Sequence, residues 1–240
     1  MSDAVRFELH DQVAVLRVDD GKANAFSFAL IDALHAALDR AEKEAKAVAW
    51  IGRAERFSGG FDLGVMRGGD VAAVGKLVGA GGRLALRLYE APLPIVIGCT
   101  GHALAMGAVA LLAADLRVGP IGDFKIGLNE VAIGLTLPTF ATELARERLS
   151  PRHLQRAAVL SEVYDGPGAV EAGFLDLVAP ADRVEAVAIE AATRLTELHL
   201  GAHHATKRRM RKGAVALLHA SLDEDLGNIG SPASGARSEP

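Results

Sequence analysis

The chain has 240 residues, half of them hydrophobic and 5% aromatic, enough for one good-sized core or a core with a small helical appendage. A formal net charge of -4 from 26 basic and 30 acidic residues argues against a nucleic-acid or membrane-surface binder. The single cysteine, Cys99, excludes an internal disulfide, and the apolar runs are too short to span a bilayer, so a cytoplasmic setting is expected.

Arg6–His10 and Val13–Val18 read as two strands joined by a tight Asp11-Gln12 turn. Ser27 is placed to cap a helix whose apolar positions include Leu30, Ile31, Leu34, Ala37 and Leu38. Ala47–Ile51 is a continuous apolar run, as in a strand covered on both faces. A Gly-rich loop, Arg56–Leu63, follows, and then a long helical stretch from Val71 to Glu90 that the prolines at 92 and 94 stop. Ile95–Gly98 reads as a buried strand, Gly101–Gly107 as a turn of small residues and Ala108–Ala114 as a short buried helix. Leu116–Val118 and Phe124–Gly127 read as short strands; from Asn129 on the pattern is mainly helical, with a strand near Leu175–Val178. The alternation of strands and helices predicts an α/β unit with a parallel sheet over residues 1–182. A helical region, residues 183–226, follows as a possible second lobe, and a Gly/Ser/Pro-rich tail, 227–240, is expected to be disordered.

Three segments can carry chemistry. In Phe57-Ser58-Gly59-Gly60-Phe61-Asp62-Leu63 the glycines allow a sharp turn whose freed N–H groups can face an oxyanion. In Gly101–Ala108 a turn leads into a helix N-terminus, which supplies further unpaired N–H groups and a positive dipole end. In Ile126-Gly127-Leu128-Asn129-Glu130-Val131 an acid sits among apolar residues, where burial raises a carboxyl pKa toward the range a proton shuttle needs. Each taken alone also reads as ordinary structure: a loop, a tightly packed turn, an acid favoured by a helix start. His199, His203 and His204 lack the carboxylates or cysteines of a metal set, and Lys207-Arg208-Arg209 reads either as a solvated face or as a phosphate contact. Neither Ser27 nor Ser58 belongs to a nucleophile–base set.

Together, these segments resemble the crotonase (enoyl-CoA hydratase/isomerase) superfamily from about Val13 to Asp225. Asn24-Ala25-Phe26 is similar to its early Asn-Ala signature, Phe57–Leu63 to its Phe-Ser-Ala-Gly-x-Asp-Leu loop, Gly101–Asp115 to its Gly-rich turn and helix, and Glu171–Asp176 to a later landmark. The resemblance implies a spiral of ββα units with a C-terminal helical region, assembled as a homotrimer or hexamer. It implies an acyl-CoA thioester as substrate, with coenzyme A as part of that substrate and no separate metal or redox cofactor. It places the thioester oxygen between the N–H groups of Phe61 and Met106, although the family often has smaller residues at both positions. Glu130 would be the acid/base, and Gly107, Val109 and Asn129 would contact the substrate. The backbone around Arg56 to Gly60, Ser58 and Gly59 included, would meet the adenine and pantetheine of coenzyme A, Asp62 would contact the substrate, and Lys207 would reach a phosphate, in the same or a neighbouring subunit.

Hydratases of the family generally use two glutamates around a water. The second position falls at Val109, which cannot transfer a proton. The stretch Ile126–Glu130 instead resembles the Δ3,Δ2-enoyl-CoA isomerases, as does Thr206–Lys212. Three readings stay open: an isomerase with Glu130 alone; a hydratase or lyase recruiting a second acid such as Glu90 or Asp62; and a non-catalytic acyl-CoA-binding protein.

Overall fold

The computed structural model describes residues 4–228, the side chains of 223–228 excepted. Strands β1 (Val5–His10) and β2 (Val13–Val18) form the expected antiparallel hairpin, with Asp11 at φ 52 in its turn. Helix α1 (Phe28–Glu44) begins where the Ser27 hydroxyl accepts the Leu30 N–H at 3.2 Å. Its buried residues, from Leu30 and Ile31 to Ala41, recur at helical spacing. Strand β3 (Ala47–Ile51) is buried at all five positions.

From β3 onward the chain alternates between two sheets. The pairs β3 and β4 (Glu55–Ser58), β5 (Ile95–Gly98) and β6 (Gly101–Leu104), and β7 (Leu116–Ile121) and β8 (Ile126–Gly127) each give one strand to each sheet. The larger sheet has the order β1-β2-β3-β5-β7-β9, closed by β9 (Leu177–Pro180); it is parallel except for the β1/β2 pair. The smaller sheet, β4-β6-β8, is parallel throughout. This is the spiral of ββα units that the resemblance implies.

Between the strands run α2 (Leu63–Met66), α3 (Val71–Glu90) and α4 (Met106–Ala113). Helix α3 is capped by the Asp70 carboxylate on Ala72 and Ala73, and α4 is buried at every position. After a 3-10 turn at Val131–Ile133 come α5 (Thr139–Arg148), α6 (Pro151–Ala158) and α7 (Gly166–Ala172); α8 (Val184–Leu195) and α9 (Leu200–Asn228) follow β9.

Several expectations need correction. Gly101–Leu104 is a strand rather than a turn, and β4 takes the beginning of the expected loop at Arg56–Leu63. The segment Phe124–Gly127 pairs only at Ile126 and Gly127, and β9 lies two residues further along than Leu175–Val178. Nor does the region after 182 form a separate lobe. Ala188, Ala191 and Ala192 of α8 pack on Val13, Val15, Ala49 and Val96 of the larger sheet, while α9 lies against α3 and α5. Helix α9 extends to Asn228; residues 229–240 of the expected tail lie outside the described residues. No helix among the described residues is long and apolar enough to cross a membrane.

Candidate active site

The three chemically interesting segments leave the carboxyl ends of the three parallel strands of the smaller sheet. Phe61 lies three residues beyond β4, Met106 two beyond β6 and Glu130 three beyond β8. The C-terminal edge of a parallel sheet is where connections splay apart and leave room for a ligand. The Ala105 N–H donates to the Gly127 carbonyl at 3.1 Å, which ties the segment carrying Glu130 to the one carrying Met106.

The first loop is zipped onto residues 23–26. Buried Asn24 donates to the Val18 and Phe57 carbonyls at 2.8 and 3.2 Å. The Ser58 hydroxyl donates to the Asn24 carbonyl at 2.7 Å and accepts the Gly60 N–H at 3.1 Å; the Gly59 N–H donates to the Ala23 carbonyl at 2.9 Å. The first amide left over is that of Phe61. Its direction follows from peptide planarity, because the N–H and the preceding C=O point oppositely. The Gly60 carbonyl is held by the Phe26 N–H at 2.9 Å, so the Phe61 N–H is turned away from Phe26.

The same logic sets the second amide. The Ala105 carbonyl accepts the Val109 N–H at 3.0 Å, along the helix, so the Met106 N–H points out of the α4 N-terminus. Ala105 holds φ 51 and ψ -123, a conformation that costs about 1–3 kcal/mol in a residue with a Cβ and is typical of functional turns. Among the described residues neither the Phe61 nor the Met106 N–H has an acceptor. The two loops touch where side chains are missing: a Cβ on Gly60 would lie 2.9 Å from the Ala105 Cβ and 3.7 Å from the Met106 nitrogen, and one on Gly107 would lie 2.9 Å from the Ser58 Cβ.

Glu130 opens the 3-10 turn and is 8% exposed. Burial pushes its carboxyl up to about 7, against a small opposing pull from its own backbone N–H. Its Oε2 and the Oδ1 of neighbouring Asn129 are buried with no hydrogen-bond partner among the described residues. A buried carboxyl with one oxygen left unpartnered can collect and release a proton near neutrality. Val109, one turn into α4 from Met106, is 1% exposed and supplies no acid.

Beside the β4 and β6 ends lies a cleft of about 390 Å³ lined by Ala23, Arg56, Ser58, Gly59, His102, Leu104, Asp123 and Lys125. It brings together three of the residues expected to meet coenzyme A, Arg56, Ser58 and Gly59, and adds His102 and Lys125. The sequence reading missed those two because they belong to the β6 and β8 segments, whose pairing it did not resolve. The His102 Nδ1 accepts the Lys125 N–H at 2.9 Å, joining the two segments on the cleft wall.

The side chains of three expected ligand residues are engaged within the chain. The Ser58 hydroxyl is committed to its own loop, and the Asp62 carboxylate caps α2 through the Gly64 and Val65 amides. Lys207 is not a free phosphate ligand in this chain. Its side chain is 4% exposed and its Nζ lies 2.8 Å from the Asp115 carboxylate, which also accepts from Arg211 and from the Ile95 N–H. Burial brings the Lys207 ammonium down to about 8 despite Asp115. The pair faces a second cavity, of about 600 Å³, between α9 and the core, lined also by Tyr89, Arg148 and His203. Basic charge on a helix near the C-terminus suggested a phosphate contact, but an acid 92 residues earlier in the chain takes the lysine.

Residues 8–239 match the model of the family described as enoyl-CoA hydratase/isomerase. The chain is 28% identical over 223 residues to human mitochondrial enoyl-CoA delta isomerase 1, covering 90% of this chain and 73% of that one. It is 30% identical over 200 residues to a probable enoyl-CoA hydratase of Bacillus subtilis, covering 80% and 74%. Among solved structures, an enoyl-CoA hydratase/isomerase family protein from Pseudomonas syringae superposes with a TM-score of 0.92 at 42% identity, covering 95% of this chain and 99% of that one.

Proposed function

The chain belongs to the enoyl-CoA hydratase/isomerase family, and we propose that within it this protein is an isomerase that converts 3-enoyl-CoA to 2-trans-enoyl-CoA, with Glu130 as its only acid/base. The observation that carries this reading is the buried Glu130 carboxyl raised to about 7, the one buried acid among the described residues, with apolar Val109 where a second acid would stand.

The carbon between the thioester and the double bond is too weakly acidic to lose a proton unaided near pH 7. The Glu130 carboxylate removes that proton, and the electron pair spreads onto the thioester oxygen as a dienolate. The Phe61 and Met106 N–H groups hold this oxyanion, each worth on the order of 3 kcal/mol when aimed in advance at developing charge. The same carboxyl then returns the proton to the far end of the former double bond, so C3=C4 becomes C2=C3. No atoms are gained or lost, and a second acid is not required. Val109 and Leu128, 1% and 0% exposed, keep the surroundings apolar, which disfavours water as a competing nucleophile.

Arg56 and Lys125 bring two cationic side chains to the neighbouring cleft, against the one carboxylate of Asp123, which suits it to the phosphates of coenzyme A. The competing hydratase reading needs another proton-transfer group. Asp62 caps α2, and Glu90 lies 3.2 Å from His219, so neither is free for that role. We expect a homotrimer or hexamer, to be read by sedimentation equilibrium.

Purified protein given 3-enoyl-CoA is expected to form the 2-trans product, and Glu130→Gln to lose at least about 1000-fold in kcat. Rapid water addition to crotonyl-CoA without isomerisation selects the hydratase, and tight binding with no turnover selects a non-catalytic binder. Wild-type turnover in the Glu130→Gln variant rules out the assignment.

A further inference from the structure

Phe61 and Met106 donate through main-chain atoms, yet both carry large side chains, and both side chains arrive at one point on α3. A Cβ built on Gly81 would lie 2.5 Å from Cε1 and from Cζ of Phe61 and 3.3 Å from Sδ of Met106. Gly81 is therefore a notch that the ring edge occupies, with the thioether alongside. The ring packs against the main core cluster and Met106 is 1% exposed, so neither side chain is a loose surface group.

Hydrogen bonds fix the plane of the Gly60–Phe61 peptide from one side only, through Phe26. The Asp62 N–H donates to the Phe26 carbonyl at 3.2 Å, which ties the other end of residue 61 to the same residue, and the notch at Gly81 holds the ring on the α3 side. The same seat bounds the side chain of the residue carrying the second amide. We infer that Gly81 is a positioning residue that sets the spacing of the Phe61 and Met106 amides by receiving both side chains. This deepens, and rests on, the reading of those amides as the oxyanion site. Small displacements matter in such a site, where a 1 Å misplacement costs on the order of 100-fold in rate.

The test uses full-length Gly81→Ala, Phe61→Leu and the double variant. Alanine favours helix more than glycine, so α3 itself is not weakened by the change. Leucine lacks Cε1 and Cζ, the two ring atoms a new methyl group would strike. Two readouts are taken: kcat and KM on 3-enoyl-CoA, and the near-ultraviolet enolate band of bound acetoacetyl-CoA, which reports oxyanion stabilisation without turnover. In the wild-type background Gly81→Ala is expected to lower kcat and the band roughly 10- to 100-fold with KM changed by less than about 3-fold. In the Phe61→Leu background the same change is expected to have less than about a 3-fold effect on either.

A raised KM with unchanged kcat means that the displaced ring merely blocks the cleft, and overturns the inference. So does an equal loss in both backgrounds, or no loss in either. A wild-type protein that enolises acetoacetyl-CoA but does not isomerise 3-enoyl-CoA sinks the isomerase assignment alone, and the band still decides on Gly81. Absence of the band in the wild type removes the oxyanion site, and Gly81's role with it.

Discussion

Replacing Glu130 with glutamine is expected to make the protein more stable above pH 7 while removing its activity. The carboxyl rises from 4.5 to about 7 on folding because burial penalises its ionised form. A carboxyl raised by folding favours the native state fully below pH 4.5, where it is protonated in both states. That contribution is lost as pH rises through about 7, because the unfolded chain ionises first. At 1.36 kcal/mol per pKa unit the full loss is about 3 kcal/mol. Glutamine has nearly the same shape and never ionises, so the variant escapes this loss. Urea melts of both proteins from pH 4.5 to 8.5 measure it. The gap between them should widen with rising pH and level off at about 3 kcal/mol above pH 8, on the order of 10 °C in Tm for a chain of this size. Parallel stability profiles would mean that Glu130 titrates as an ordinary exposed acid, and the basis for its role as a shuttle would go.

The kcat/KM for isomerisation should rise with pH along a limb of apparent pKa near 7, since only ionised Glu130 accepts the proton; a limb near 4.5 contradicts the burial argument. Val109→Glu restores a second acid one turn from Met106, and should raise crotonyl-CoA hydration at least about 10-fold while slowing isomerisation. Lys207→Met leaves Asp115 with one fewer cation in a buried setting, and should cost about 3 kcal/mol in denaturant melts with KM unchanged. A large rise in KM instead would restore Lys207 as a phosphate ligand. Arg56→Ala with Lys125→Ala should raise KM about 10-fold at low salt and less at high salt, as expected for a cleft reading phosphate charge.

How far the sequence could be read depended on element length. Val71–Glu90 came out with its observed bounds because twenty residues of helical periodicity end in prolines, and α1 because Ser27 and the Leu30–Leu38 spacing agree. Strands β4, β6 and β8 are two to four residues long, too short for a period of two to emerge. Their identity comes from pairing with segments tens of residues away. For the same reason His102 and Lys125 were not legible as cleft residues, whereas Glu130 was, because an acid among apolar neighbours is anomalous locally. For Ser58, Asp62 and Lys207 the side-chain partners were not legible either. Each is polar and in a plausible place, but each is taken by a partner, a loop carbonyl, a helix start or a distant aspartate, that local pattern does not reveal.

Because both proposed oxyanion donors are peptide nitrogens, the genetic code offers only one residue, proline, that deletes either of them. Every other replacement at 61 or 106 leaves the hydrogen in place and alters only what surrounds it. In the proposed reaction the charge-holding hydrogens thus survive most replacements, though their aim still depends on the seat at Gly81, while the proton-carrying half hangs on a single codon. Descendants of such a chain can reshape the room around the acyl tail freely and change chemistry by gaining or losing one acid.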